Sequence, residues 1–196
     1  MTDDSKAAIA RAATAEFAQF GFHGARTARI ARAAGVNKQL LFYYFDSKAG
    51  LYAEAVRSAA TKLRAATLAP DGSVQTEQHG AASLRSWMAT VTLVCRDQPQ
   101  LVRLVLGSSE GPPEAASIAR TFLQELAGAL AEEVSAGQGL GFFRDDADPT
   151  LVATQALTLT FGSVLLDFPS ESDAGHEGRR RWDAEAADWM IRRLSW

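Results

Sequence analysis

The sequence predicts an all-α protein in two parts: an N-terminal three-helix helix-turn-helix domain, and a larger helical domain behind it. Three observations lead there. Leu, Ala and Arg are frequent while long β-branched runs are scarce, which favours helices over strands. Apolar residues recur at spacings of three and four between Gly- and Pro-rich breaks, the period of a one-sided helix. Thr27 to Lys48, TARIARAAGVNKQLLFYYFDSK, reads as a short helix, a glycine turn and a second short helix. In that layout the second helix lies in the major groove of DNA.

The elements follow in order. Ser5 to Phe20 carries Ile9, Ala13, Phe17 and Phe20 on one stripe, and Gly21 is placed to end the helix in a left-handed conformation. Thr27 is the expected N-cap of a helix ending near Ala34, with Ile30, Ala31 and Ala34 facing inward. Gly35 supplies the turn and Asn37 caps the next helix. There Leu41 and Phe45, four apart, face inward, leaving Lys38, Gln39, Leu40, Tyr43 and Tyr44 outward or flanking. Asp46 or Ser47 caps a linker helix over 49–67. Leu68 to Gly80 reads as a loop, Ala81 to Asp97 as a helix, and Gln100 to Leu106 as a short one after Pro99. Glu114 to Ala136 spaces Ile118, Phe122, Leu126, Leu130 and Val134 by four, and Gly137 to Gly141 reads as a flexible turn. Two C-terminal helices complete the chain, over 150–168 and 177–195. The domain boundary falls after residue 48, giving domains 1–48 and 49–196.

Charge is unevenly placed. Residues 1–50 hold seven Lys or Arg against four Asp or Glu, a balance of +3, while the whole chain stands at −3. A basic end on an acidic body suits DNA binding at that end. The single cysteine, Cys95, sits in an apolar stretch, so no disulfide forms within the chain and a reducing cytoplasm fits. Met1 is followed by Thr2, Asp3 and Asp4, not by the basic-then-apolar run of a signal peptide. Pro149 to Leu166 carries no charge and approaches membrane-spanning length. Its threonines and its acidic flanks Asp145, Asp146, Asp148 and Asp167 fit a buried helix instead.

Catalytic chemistry finds no purchase in the sequence. His23, His79 and His176 stand at no metal-ligand spacing, and GQGLG (137–141) follows a helix and lacks the Lys-Ser/Thr pair of a phosphate loop. No nucleophile motif or acid/base pair emerges. The expectation is therefore a non-enzyme with no cofactor and no metal. The last helix carries Trp182, Trp189 and Trp196 at intervals of seven. Aromatic anchors of this kind mark interfaces. Two such helices from each of two subunits would form a four-helix bundle, with Leu151, Leu159, Val164, Trp182, Trp189 and Met190 as the candidate contacts.

Residues 9–48 resemble the DNA-binding domain of the tetracycline-repressor (TetR) family of bacterial transcription regulators. The resemblance is carried by Ile9, Ala12, Phe17, Gly21, Phe22, Thr27, Ile30, Ala31, Ala34, Gly35, Val36, Leu41, Tyr44, Phe45, Ser47 and Lys48. It covers about a quarter of the chain. Two departures stand out: Phe42 occupies a position where members often carry a tyrosine, and Leu40 one where threonine is common. The resemblance implies a helical ligand-binding and dimerisation domain, a homodimer on a palindromic operator, and release by a small-molecule effector. It makes a repressor the leading reading; a TetR-like activator or a DNA binder without an effector is the alternative, and a small helical enzyme ranks below both. Lys38, Gln39, Leu40 and Tyr43 are the candidate base-edge or nearby contacts. Thr27, Arg29, Tyr44 and Lys48 are the candidate phosphate contacts. Trp87, Met88, Val91, Cys95, Leu104, Phe122 and Phe161 are the candidate effector pocket.

Overall fold

The computed structural model describes residues 2–74, 80–165, 187–192 and the single residues 185 and 194, with backbone only at 2, 3 and 163–165. Among the described residues every regular element is a helix, apart from one isolated antiparallel bridge, Leu68 to Val74, inside the expected loop. They form two compact units. The first comprises Met1–Leu63 and Gln98–Phe122, the second Arg64–Asp97 and Leu123–Trp196.

The first unit begins with α1 (Thr2–Gly24), which buries Ile9, Ala13 and Phe17. Its regular course breaks at Gly21, whose φ of 64° is left-handed. The predicted stop is thus a kink within a longer helix, and a final turn carries Phe22 and His23 beyond it. Helix α2 (Thr27–Ala33) buries Ile30 and Ala31. Gly35 follows at φ 67°; its N–H bonds Arg32 O at 3.2 Å and the Val36 N–H bonds Ala31 O at 3.0 Å. That pair of bonds closes the helix, and the left-handed residue it needs favours glycine. Helix α3 (Lys38–Phe45) starts at Asn37, whose Oδ1 accepts from the Leu40 N–H at 2.7 Å. Helix α4 (Lys48–Thr67) starts at Ser47, whose Oγ accepts from the Gly50 N–H at 3.0 Å. Both predicted caps are in place.

The Thr27 cap is corrected. Arg26 is the extended residue at the start of α2, and no side chain caps it. The Arg26 N–H instead reaches Glu16 Oε1 at 2.8 Å, so a carboxylate from α1 fixes the chain entering α2.

The first unit also contains α6 (Pro99–Leu106), with Pro99 at its first turn, where a missing N–H costs nothing. A 3-10 turn, Gly107–Glu110, follows. Helix α1 packs on both. Phe17 and Phe22 meet the Tyr52 ring from α4 at centroid distances of 4.8 and 5.2 Å.

In the second unit α5 (Ala81–Asp97) has the expected bounds and packs on α8 (Pro149–Leu165). Helix α7 (Pro113–Gly139) runs from the first unit into the second. It extends past Ala136 through two glycines that sequence reading assigned to a flexible turn. The extension is held: Gln138 Nε2 donates to Arg144 O at 2.7 Å and to Ala147 O at 2.8 Å. Asp148 Oδ1 accepts from the Thr150 and Leu151 N–H groups and caps α8. Along α8 the Thr154, Thr158 and Thr160 hydroxyls donate to the carbonyls of Thr150, Thr154 and Ala156. An uncharged helix thereby satisfies its polar atoms locally. No helix among the described residues is long and apolar enough to cross a membrane.

Candidate DNA-binding interface

Helix α3 turns two faces to different surroundings. Leu41 (0% exposed) and Phe45 (7%) anchor it to the core of the first unit. Gln39 and Tyr43, one turn apart, are exposed, Tyr43 at 79%. Lys38 is exposed too, its ammonium 5.6 Å from the centre of the Phe42 ring. Leu40, Phe42 and Tyr44 are half-buried, and the Tyr43 and Tyr44 rings meet edge to face at 5.4 Å. Of the predicted outward or flanking set, Lys38, Gln39 and Tyr43 are exposed and Leu40 and Tyr44 half-buried.

Lys48, half-buried, is the first residue of α4. Its Nζ lies 4.9 Å from the centre of the Phe22 ring and donates to His23 O at 3.3 Å. An ammonium carries three donors, so this contact orients it and leaves donors for a phosphate. His23 is itself held, because its Nε2 lies 3.1 Å from Glu110 O. Thr27, half-buried, is the first residue of α2.

Arg29, half-buried, is held by groups of α1. Its Nε donates to Glu16 Oε1 at 2.7 Å, its Nη2 to Gly24 O at 3.1 Å, and its guanidinium stacks 4.3 Å from the Phe20 ring centre. Burial pulls the Glu16 carboxyl upward, but the Arg29 hydrogen bond, the Arg26 N–H and the two guanidinium charges together hold it below its ordinary value. This clamp between α1 and α2 was missed by sequence reasoning, since residues thirteen apart in different helices leave no periodic signal. A carboxyl with a depressed folded-state pKa stabilises the fold above its unfolded pKa, and that stability is lost as pH falls through the folded value. Glu16→Gln is therefore expected to lower the melting temperature near neutral pH and to flatten its fall on acidification. A pH series of melts on both proteins checks this.

Residues 9–55 match the family model described as bacterial regulatory proteins, tetR family. Escherichia coli K12 RutR, an HTH-type transcriptional regulator, is 37% identical over 99 residues, half of this chain and 45% of RutR. The chain thus matches less than half the length of that relative. Bacillus subtilis YdgC, a further HTH-type regulator, is 28% identical over 152 residues, 76% of this chain and 74% of YdgC. Over residues 9–55 the chain is thus similar to the tetR family of bacterial regulatory proteins. Its fold is similar to that of a TetR transcriptional regulator from Chloroflexus aurantiacus, with a TM-score of 0.78 at 18% identity, covering 98% of this chain and 96% of that one. B. subtilis FadR, solved with stearoyl-CoA, superposes with a TM-score of 0.75 at 13% identity, covering 96% of this chain and 99% of FadR.

The candidate effector-pocket residues fall in both units. Trp87, Met88, Val91 and Cys95 are all buried on α5, and Phe161 is half-buried on α8, in the second unit. Leu104 and Phe122 are buried in the first unit. Burial pushes the Cys95 thiol up to about 12, which makes it an inert apolar group and not a nucleophile. Of the interface candidates, Leu151 is 55% and Trp189 53% exposed, Leu159 is half-buried, and Met190 is buried in the core of the second unit. The Val164 side chain and Trp182 lie outside the described residues. No cluster of metal-ligating side chains occurs among the described residues.

Proposed function

We propose that this protein is a sequence-specific, DNA-binding transcription regulator. The observation that carries the reading is the exposed Lys38, Gln39 and Tyr43 on a short capped helix of a tetR-family helix-turn-helix. Gln39 pairs bidentately with adenine N6 and N7, Lys38 and Tyr43 reach base edges or phosphates beside it, and Leu40 offers a thymine methyl an apolar contact. Thr27, Tyr44 and Lys48 take phosphates. A homodimer presents two such helices roughly 34–36 Å apart, matching a palindrome. It acts as a cytoplasmic repressor, not an enzyme, and a small molecule bound in the helical body releases it from the operator. The fold relative FadR, captured with stearoyl-CoA, supports a body that admits ligands. By linkage, effector and operator then oppose each other.

Selection of bound sequences from a random DNA pool by the purified chain tests this directly. A palindromic motif is expected; no enrichment over background, before and after refolding from denaturant to strip ligand, defeats the proposal. On the selected operator, Gln39→Ala is expected to cost about 1–3 kcal/mol and to relax specificity at one base position. Lys48→Ala should weaken all sequences alike and lower the salt slope by about one. Equilibrium binding across a salt series and a set of single-base operator variants reads both effects.

A further inference from the structure

Two buried donors on α5 have no hydrogen-bond partner among the described residues: Ser83 Oγ and Trp87 Nε1. Ser83 is 0% and Trp87 1% exposed. Such atoms are uncommon in folded proteins, and each calls for a physical explanation. A buried donor left unsatisfied destabilises the fold, so two of them in one helix are a substantial standing penalty. The two residues are four apart, one turn of α5, and therefore share a face. Leu84, Met88, Val91, Thr92 and Cys95 are buried on the same helix, so the donors sit on an element whose buried side is mostly apolar.

The chemistry of the missing partner is constrained. An indole N–H only donates, so whatever satisfies Trp87 presents an acceptor. The Ser83 hydroxyl can donate to the same oxygen or to a neighbouring one. An anion is disfavoured: the buried polar residues of the second unit include Glu133 but no Lys or Arg among the described residues, and a carboxylate taken out of water without a cation is expensive. A neutral carbonyl on an apolar body meets every condition.

We infer that Ser83 and Trp87 form the polar end of the effector site and hold an uncharged carbonyl group of the ligand, as in a ketone, ester or amide. The inference rests on the reading of this chain as a ligand-released regulator, and adds to it the ligand's chemical class and Ser83, a residue outside the predicted pocket.

Three probes of similar size separate the possibilities: acetophenone, its isostere α-methylstyrene with no oxygen, and benzoate. Affinities are measured by calorimetry on the full chain, wild type, Ser83→Ala and Trp87→Phe. Acetophenone is expected to bind about tenfold more tightly than α-methylstyrene, the scale of one buried hydrogen bond. Benzoate should bind more weakly than acetophenone. The preference for the ketone should shrink in each variant. Equal binding of the first two probes, preference for benzoate, a preference that survives both substitutions, or no binding of any probe overturns the inference. A second readout needs no ligand. Ser83→Ala removes an unsatisfied hydroxyl, so the melting temperature should hold or rise; a fall of several degrees means the chain itself satisfies Ser83, and also overturns it. Operator selection on the wild type without probe keeps the two proposals apart. Its failure would count against the regulator reading, whereas probe failure beside a good operator would count only against the ligand class.

Discussion

Leu41→Ala is expected to weaken operator binding strongly, although Leu41 touches no DNA. Leu41 is fully buried at the centre of α3, between a face that anchors the helix and one that offers Gln39 and Tyr43 to solvent. Truncating a buried leucine costs about 2–5 kcal/mol, through lost transfer energy and the cavity left behind. Folded domains hold only about 5–15 kcal/mol in reserve, and an eight-residue helix has little intrinsic stability to fall back on. Loss of its anchor therefore frees α3 from the orientation that DNA contact needs. Circular dichroism melts and operator titration should show a lower melting temperature together with affinity reduced at every sequence and salt concentration. Gln39→Ala is the informative contrast: its melt should match wild type while its affinity and base preference change. If Leu41→Ala melted and bound as wild type does, the inward face of α3 would be wrongly assigned.

That contrast follows from what was legible in the sequence. The inward pair Leu41 and Phe45, the Asn37 and Ser47 caps and the Gly35 turn are local features. Each depends on residues within four or five positions, so spacing and residue type were enough to find them. The bounds of α5 were readable for the same reason, lying between a Gly-rich loop and a proline. Tertiary contacts overrode the local signal elsewhere. Thr27 has the chemistry of a cap, yet Glu16 from α1 holds the entry to α2. Arg29 looks like a free cation in the string, yet three groups from α1 hold it. Gly137 and Gly139 read as a turn, but Gln138 between them ties the helix end to the carbonyls of 144 and 147. The candidate site was thus legible where it depends on α3 alone. Its support from α1, and the grip of His23 and Phe22 on Lys48, arise only from tertiary contacts.

Leu151→Glu is expected to convert the protein from dimer to monomer and to weaken full-operator binding by about 10²–10⁴-fold. The face of α8 that carries Leu151 also exposes Thr150, Thr154, Gln155 and Thr158, so it is uncharged and open along two turns. Trp189 adds a half-exposed indole in the second unit. Surfaces with an apolar anchor and no charge are the kind that associating chains bury, and a large aromatic is a common anchor. In a two-fold dimer the same patch meets itself, so a carboxylate introduced there faces its own symmetry mate and is desolvated beside a like charge. DNA affinity falls because the second recognition helix no longer arrives at the high effective concentration that tethering provides. Sedimentation should report the monomer mass, and titration should show the affinity for a full palindrome collapsing to that for one half-site. Half-site affinity should be unchanged, since α3 lies in the other unit. Trp189→Ala should act in the same direction with a smaller effect. A Leu151→Glu protein that sediments as a dimer and binds the palindrome at wild-type strength would remove α8 from the interface.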